Sequence, residues 1–279
     1  MLHRFIVAAI LVSSFVTAGW AQSPPAQPAP VASAPAKPAA KKAAPKAKPV
    51  AKQPAAVETG PCQIGVITIV GNVFGVQKIG FTVFGNEYTP IPIDSWGLDD
   101  LAVARVRAAA TGRVVRKIAY DKEALLRIGE SKSFFRNTSE DIKEFVRHSA
   151  GNTNCERYVL INRTSSRFSN LNQTVNGVGI VKWGNPIKER TFLFALTYVR
   201  VFDGQTFDIV KQGAAAPDDE PVVSRILVLN PIRGPNRELD ESVFPAAPAE
   251  AASNPAFREG VRTLLTTSLD RTLPGLLGP

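Results

Sequence analysis

Histidine, cysteine and methionine are scarce in this chain of 279 residues, with two, two and one copies respectively. His3 lies in an N-terminal segment that we expect to be removed, which leaves His148 in the mature chain. His148 comes late in a predicted helix, where a protonated ring complements the helix dipole, so we interpret it as structural. A zinc site of the usual nitrogen and sulfur kind needs several such ligands. We therefore predict no metal ion and no cofactor.

Catalytic motifs are also missing from the sequence. There is no GxSxG turn to present a serine nucleophile, and no GxxxxGK[ST] loop to hold phosphates. The pair Gly177 and Gly179 lies inside a strand-like run, where glycines indicate a bulge or a close approach of backbones. We predict no catalytic residues and favour a protein that is not an enzyme. A hydrolase that uses carboxylates alone is the less favoured alternative.

Long apolar runs are confined to the N-terminus. Arg4 precedes the run FIVAAILVSSFV, and the small residues Gly19 and Ala21 occupy the two positions that a signal peptidase inspects. This pattern is typical of a secretory signal, so we predict that residues 1–21 are a signal peptide and that the protein is periplasmic or secreted. The apolar stretch is about 17 residues long, at the lower end of the range that spans a bilayer. An uncleaved inner-membrane anchor is therefore the alternative.

Acidic and aromatic residues are absent from residues 22–57, which consist mainly of alanine, proline and lysine. Such a composition cannot bury enough apolar surface to offset the entropy of ordering, so we predict a disordered linker. Prolines and the repulsion between lysines favour extended conformations. The linker is either a solubilising leader or a spacer. Its lysines are expected to give weak, salt-sensitive attraction to anionic surfaces.

A surplus of positive charge is missing from the remainder of the chain. The net charge of +9 comes from 33 basic and 24 acidic residues. Arg4 and the six lysines of the linker account for most of the difference, and residues 58–279 are nearly balanced. A nucleic-acid-binding domain usually carries its basic surplus on a folded face, together with aromatic residues. We therefore predict no nucleic-acid partner.

The two cysteines, Cys62 and Cys155, have no CxxC neighbour of the kind that redox pairs usually have. In an oxidising compartment an isolated pair most often forms one disulfide. We predict a structural disulfide between them, with two free buried thiols as the alternative.

Residues 58–279 are predicted to form a single globular α/β domain, with a mixed sheet, flanking helices and an antiparallel meander in the second half. Its first half is expected to contain a strand, a helix and a parallel strand joined by a right-handed crossover. The predicted elements of this half are strands at 65–70 (GVITIV), 80–84 and 114–120, and helices at about 94–112, 121–128 and 138–151.

The second half is rich in extended segments, and Asp203-Gly204 is a strong hairpin signal between two of them. A final helix is predicted after the cap Asn254, ending at Leu273-Pro274-Gly275. The other predictions are strands at 157–162, 174–183, 191–202 and 205–211, either strand or helix at 222–229, and an irregular segment at 231–248.

Three carboxylates, Asp94, Asp99 and Asp100, cluster beside Trp96 near a predicted helix start that follows a strand. Ligands of α/β sheets often bind at such places, so these four residues are candidate ligand or partner contacts. The alternative is that the acids cap the helix, because capping requires acids at the same positions.

An aromatic pair, Phe134 and Phe135, lies between two predicted helices. An exposed pair can anchor a partner, and we include both residues as candidate contacts. Packing in the core is the alternative.

The segments GVITIV, LDDLAVARVRAAA, VVRKIAY and YVRVFDGQTFDIVK follow one another in an order that resembles a group of periplasmic α/β modules. These are the modules of penicillin-binding-protein activator lipoproteins and the domains of the curli-secretion and TolB amino-terminal type. The resemblance covers residues 65–273 in outline and implies a non-catalytic module that contacts an envelope protein or the cell wall. The activator lipoproteins also carry a proline-rich spacer, but this chain has no lipid-accepting cysteine after its apolar run. No binding residues are carried over.

Together these observations predict an exported, non-catalytic envelope protein that acts through protein or cell-wall contacts. A periplasmic protein that binds a small molecule or a glycan is the alternative.

Overall fold

The computed structural model describes residues 61–80, 85–130, 138–168, 173–185, 188–216 and 231–278. All of them belong to one compact unit, Ala56–Pro279. Several sequence predictions lie outside these residues: the signal peptide, the linker, all but the first residue of the strand at 80–84, the pair Phe134 and Phe135, and the segment 222–229.

The described residues form four α-helices and twelve strands. The helices are α1 (Leu98–Ala109), α2 (Lys122–Glu130), α3 (Thr138–Ala150) and α4 (Pro255–Leu277). The strands are β1 (Ile64–Ile69), β2 (Val73–Ile79), β3 (Glu87–Pro92), β4 (Val115–Lys117), β5 (Arg157–Arg163), β6 (Ser165–Arg167), β7 (Thr174–Asn176), β8 (Val178–Asn185), β9 (Lys188–Ala195), β10 (Thr197–Asp203), β11 (Ile209–Ala214) and β12 (Asn236–Leu239). Short 3-10 turns occupy Asp94–Trp96, Glu241–Val243 and Pro248–Ser253.

Two five-stranded sheets carry the fold. Sheet A has the strand order β11-β10-β5-β1-β4, with β1 parallel to both β4 and β5, and β10 antiparallel to β5 and β11. Sheet B has the order β12-β9-β8-β2-β3, in which only the pair β2 and β8 is parallel. Strands β6 and β7 form a separate two-stranded ribbon. The prediction of mixed α/β structure with flanking helices is confirmed.

Three apolar clusters pack against these sheets, and two of them cover the two faces of sheet A. Helices α1 and α4 share one cluster with the inward faces of sheets A and B, and it includes Val66, Val106 and Leu265. Helices α2 and α3 cover the opposite face of sheet A through residues such as Ile67 and Phe145. Strand β1 is buried along its whole length because helices cover both of its faces, which is why its sequence is a nearly continuous apolar run in which only Thr68 is polar.

The disulfide prediction is confirmed. Cys62 and Cys155 are bonded, and they precede the adjacent parallel strands β1 and β5. The bond closes a sequence separation of 93 residues. In the part of the chain that the structure describes, no helix combines the length and apolar character that crossing a membrane requires.

The structure corrects two of the predicted strands, because each of them is divided into two separate strands. The predicted strand at 174–183 is broken at Gly177, whose φ of 67° lies in the left-handed region. The predicted strand at 191–202 is broken at Leu196, so that β9 belongs to sheet B and β10 to sheet A. Both breaks meet at Thr164, directly after β5: the Gly177 amide donates to the Thr164 carbonyl, and the Thr164 amide donates to the Leu196 carbonyl. The Leu196 amide in turn donates to the Gly177 carbonyl. The predicted meander therefore passes between two sheets.

Glycine also allows two strands of sheet B to approach closely. A Cβ atom added to Gly179 would lie 2.4 Å from the carbonyl oxygen of Gly75, its partner in the parallel pair of β8 and β2. The predicted close approach of backbones near Gly179 is confirmed. Strand β2 was not predicted, because Gly75 and the polar residues Gln77 and Lys78 interrupt its apolar pattern.

The boundaries of several elements differ from the predictions. Strand β4 is shorter than residues 114–120, and Asn236–Leu239 pairs with β9 although the segment was predicted to be irregular. The hairpin of β10 and β11 is confirmed, but β11 begins at Ile209, because the Asp203 carboxylate holds the turn by accepting hydrogen bonds from Gln205 and Thr206.

The final helix is confirmed at its start and corrected at its end. The Asn254 side chain accepts hydrogen bonds from the amides of Ala256 and Phe257. The helix continues through Pro274 to Leu277, where the prediction ended it at Leu273. Leu273 and Leu277 are both buried in the core that the two sheets share, and their burial favours the extra turn.

Candidate ligand cleft at the carboxyl edge of sheet A

Asp99 is one of the predicted contacts, and its carboxylate is hydrogen-bonded to the main chain of the protein itself. Its carboxylate accepts hydrogen bonds from the amides of Val70, at 2.7 Å, and Gly71, at 3.4 Å, directly after β1. Helix α1 follows Gly97, which has a φ of 63° and provides no side-chain cap. The alternative that the acids cap this helix is therefore wrong, although Asp99 and Asp100 lie in its first turn. Asp99 instead fixes the loop at the end of β1.

Tyr120 belongs to the same region. Its hydroxyl donates a hydrogen bond to the carbonyl of Thr68, a residue of β1. Burial raises the pKa of Tyr120 well above its ordinary value, and the nearby charge of Asp99 raises it further. The hydroxyl therefore stays protonated near neutral pH and acts as a donor that holds the segment after β4 to β1.

The other predicted contacts also have partners within the fold. Asp100 forms an exposed ion pair with Lys117 at 2.6 Å, and Asp94 lies 3.6 Å from the amine of Lys122. Trp96 is buried, and its Nε1 donates to the carbonyl of Ala252 at 3.0 Å. These contacts tie α1 and its flanking loops to neighbouring elements. A role for these side chains in ligand or partner binding stays a prediction.

His148 lies in the last turn of α3 and is exposed, as the structural interpretation of this residue expects. In the described residues, no group of three or more histidine, cysteine, aspartate or glutamate side chains is arranged to hold a metal ion.

The order of the parallel strands defines a different place for a ligand. In chain order, sheet A uses β1 first, β4 second and β5 third, and β1 lies between the other two. The connection from β1 to β4 passes through β2 and β3 of sheet B and then through α1, which lies on one face of sheet A. The connection from β4 to β5 consists of α2 and α3, lies on the other face and crosses to the opposite side of β1. The direction of the connections therefore switches between β1 and β5. In open α/β sheets, ligands bind outside the carboxyl ends of the strands at such a switch point.

A cleft of about 500 Å³ lies at this position, and we call it the switch cleft. Its apolar lining comes from sheet A and from α2 and α3: Ile69, Leu125, Ile128, Ile142 and Leu160. Its polar lining comes from the carboxyl end of β5, from β10, from the ribbon and from the start of α3: Thr138, Asn162, Arg163, Thr164, Ser165, Asn176 and Arg200.

Arg200 is the most constrained cation of the switch cleft. It lies opposite Leu160 in the pair of β10 and β5, so its side chain is on the face that α2 and α3 cover. Its Nη1 donates to Oδ1 of Asn162 at 2.8 Å, and its guanidinium carbon lies 4.5 Å from the centre of the Tyr198 ring. Burial lowers the pKa of Arg200, but a guanidinium stays cationic near neutral pH in proteins.

Arg163 brings a second cation to the switch cleft from the last position of β5. Its aliphatic stem packs over Gly177, where an added Cβ would lie 2.6 Å from Cδ of the arginine. Glycine at position 177 therefore serves both the left-handed backbone and the space that Arg163 occupies. On the ribbon, Ser165 lies directly opposite Asn176, and both line the cleft.

The electrostatic character of the switch cleft follows from its lining. It contains two arginines, two asparagines and three hydroxyl groups, and no described lining residue is acidic. Among the described residues, neither Arg163 nor Arg200 forms an ion pair. The arrangement can donate several hydrogen bonds and can attract negative charge.

The predicted cluster around Asp99 and the switch cleft lie at the same edge of sheet A but on opposite faces. Asp99 contacts the end of β1 from the side of α1, whereas the switch cleft opens on the side of α2 and α3. Two signals pointed to the cleft: polar Asn162 and Arg163 directly follow the buried run of β5, and Arg200 shares a strand face with buried Phe202.

Comparisons with known proteins assign no family. The chain matches no protein-family model, and no curated protein matches it. Three chains of solved structures match. One belongs to a PelC dodecamer from Paraburkholderia phytofirmans, with a TM-score of 0.30 and 11% sequence identity, over 78% of this chain and 93% of that chain. A similarity of this size transfers neither function nor site residues.

Proposed function

We propose that this protein is an exported, non-catalytic protein of the cell envelope that binds a polar ligand in the switch cleft. The N-terminal sequence supports export through its short basic start, apolar run and small residues around Ala21. The bonded pair of Cys62 and Cys155 supports the same conclusion, because disulfides persist mainly in oxidising compartments.

The observation that carries the proposal is the position and chemistry of the switch cleft. It lies at the carboxyl ends of β1 and β5, and its volume falls within the range of pockets that hold small molecules, about 300 to 1,000 Å³. An apolar floor with a few convergent polar groups is the usual composition of such a pocket. This favours a ligand-binding protein among the alternatives that the sequence leaves open.

The polar groups of the cleft favour binding over catalysis. Arginine, asparagine, serine and threonine side chains hydrogen-bond well but do not exchange protons readily at neutral pH. General acid-base catalysis relies on groups whose pKa lies near the working pH. The carboxylates considered for a hydrolase, Asp94 and Asp99, lie outside the lining of this cleft and have partners in the fold.

We propose a separate role for the linker. Residues 22–57 would act as a spacer between the folded unit and an anionic surface, to which their lysines are weakly attracted. The specific contact, with a polar ligand of the envelope, would be made by the switch cleft.

Site-specific photo-crosslinking in intact cells tests this proposal. A photoreactive amino acid replaces Asn176, which is exposed and lines the cleft, or Arg107, which is exposed on α1 on the other face of sheet A. We expect a crosslinked envelope component from position 176 and none from position 107. Mass spectrometry of the same sample should find a mature chain that begins after Ala21. Recovery of the chain from the cytosol with residues 1–21 attached would contradict the proposal.

A further inference from the structure

We propose that the ligand of the switch cleft is an anionic sugar unit, whose carboxylate or phosphate group is bound by Arg200. This inference rests on the proposed function, because it names the chemical class of the ligand for the same cleft.

Arg200 is held in place before any ligand arrives. Asn162 accepts a hydrogen bond from Nη1 at 2.8 Å, and the ring of Tyr198 lies beneath the guanidinium at 4.5 Å. Asn162 is itself fixed, because its Nδ2 donates to the carbonyl of Arg163 at 2.7 Å. A guanidinium that is already positioned loses little side-chain entropy when it binds a carboxylate or a phosphate.

The charge of Arg200 is not neutralised by the described residues. The group is half-buried, and its hydrogen bond goes to a neutral amide, where an acid would neutralise it. A partly desolvated cation is unfavourable until an anion pairs with it. An anionic ligand would supply that partner, and a bidentate contact with the planar guanidinium would give it a defined orientation.

The rest of the polar lining matches the hydroxyl groups of a sugar. Asn176, Ser165 and Thr164 offer both donors and acceptors on the side of the ribbon, and Arg163 adds a second positive charge. No described lining residue is acidic, so the described part of the lining does not repel a negative ligand.

The apolar floor completes the match. Ile69 and Leu160 lie on adjacent strands of sheet A, and Leu125 and Ile142 face them from α2 and α3. A sugar ring has apolar C–H faces as well as hydroxyl groups, so this surface suits a ring that is held by its charged substituent. A bare inorganic anion would leave the floor uncovered.

Calorimetric titration of the mature full-length chain tests the inference. The probes are a galacturonate trisaccharide, glucose 6-phosphate and the neutral maltotriose, so that carboxylate and phosphate are compared with an uncharged sugar. The variants are Arg200→Gln and Arg107→Gln, which remove the same charge from the cleft and from the exposed surface of α1. The control variant keeps the lysine-rich linker, which attracts anions on its own.

We expect at least one anionic sugar to bind and maltotriose to bind at least about tenfold more weakly, since charge-assisted hydrogen bonds differ from neutral ones by roughly that factor. Arg200→Gln should lower the affinity for the anionic sugar by about tenfold or more. Arg107→Gln should change this affinity by less than about twofold. Arg200→Lys, which keeps the charge but lacks the planar fork, should fall between the wild type and Arg200→Gln.

Three results would overturn the inference. If Arg200→Gln and Arg107→Gln lose the same affinity for the anionic sugar, binding depends on the overall charge of the protein and not on Arg200. If maltotriose binds as tightly as the anionic sugars, the cleft does not recognise the negative charge. Failure of both anionic probes to shift the amide resonances of Thr164 and Asn176 would exclude the cleft as their site, whichever variants fold. In each case the crosslinking from position 176 tests the proposed function separately.

Discussion

Arg200 on β10 and Asn162 on β5 are joined by a hydrogen bond of 2.8 Å across neighbouring strands of sheet A. The amide oxygen accepts from the guanidinium and leaves its positive charge in place. Asparagine at position 162 can therefore orient Arg200 while the charge remains available to a ligand in the switch cleft.

Replacing this neutral amide by a carboxylate should close the cleft to anions. In Asn162→Asp the new carboxylate would pair with Arg200, and we expect the affinity for an anionic sugar to fall by about tenfold or more. Asn152→Asp adds the same charge at an exposed turn after α3 and should have little effect. Titration calorimetry of the two variants makes the comparison, and equal affinities would show that Asn162 does not control the charge of the cleft.

Two neighbouring aspartates should differ strongly in their contribution to stability. Asp99→Ala leaves the amide of buried Val70 without its acceptor, and we expect the free energy of unfolding to fall by about 1 to 3 kcal/mol. Asp100→Ala removes only an exposed ion pair with Lys117 and should cost less than about 1 kcal/mol. Urea denaturation of both variants measures the difference. A smaller loss for Asp99→Ala than for Asp100→Ala would refute the role assigned to Asp99.

Loss of the disulfide should destabilise the folded unit. The bond between Cys62 and Cys155 spans 93 residues, for which the chain-entropy model gives at most about 4 to 5 kcal/mol. The double variant Cys62→Ser, Cys155→Ser should therefore unfold at a lower urea concentration, and a reducing agent should shift the wild type toward it. The same reductant should leave the double variant unchanged. If the wild type and the variant unfold together under oxidising conditions, the bond does not form in solution.

Acid should weaken the link between α3 and the hairpin of β10 and β11. Lys143 lies 2.6 Å from Asp208, and their hydrogen bond holds the pKa of Asp208 below its ordinary value. A carboxylate whose pKa is lower in the folded state contributes stability above its unfolded pKa of about 3.9, and this contribution is lost as the pH falls through the folded value.

The variant Asp208→Asn should accordingly be less stable than the wild type at neutral pH. The difference should shrink as the pH falls below about 3.9, the ordinary pKa of an aspartate, and should vanish once the carboxyl is protonated in the folded wild type as well. Denaturation at several pH values measures this difference, and a constant offset between the two chains would show that the ion pair is not its source.

The sequence predicted those parts of the fold that local pattern determines. The apolar run of β1, the Asp203-Gly204 turn and the Asn254 cap each depend on residues that are neighbours in the chain, and all three were found. The breaks at Gly177 and Leu196 depend on hydrogen bonds to each other and to Thr164, which are distant in sequence.

The switch cleft was missed for the same kind of reason. Arg200 and Asn162 come together only when β10 pairs with β5, and an arginine within a strand does not by itself indicate a site. The cluster around Asp99 was more conspicuous in the sequence, yet its carboxylate is used to hold the end of β1.

Crosslinking from position 176 in intact cells, with Arg200 varied in the same chain, shows whether the switch cleft contacts an envelope component. We expect a specific product in the wild-type background and a large loss of that product with Arg200→Gln, at equal protein levels. An identical yield in both backgrounds would mean that the switch cleft does not make this contact.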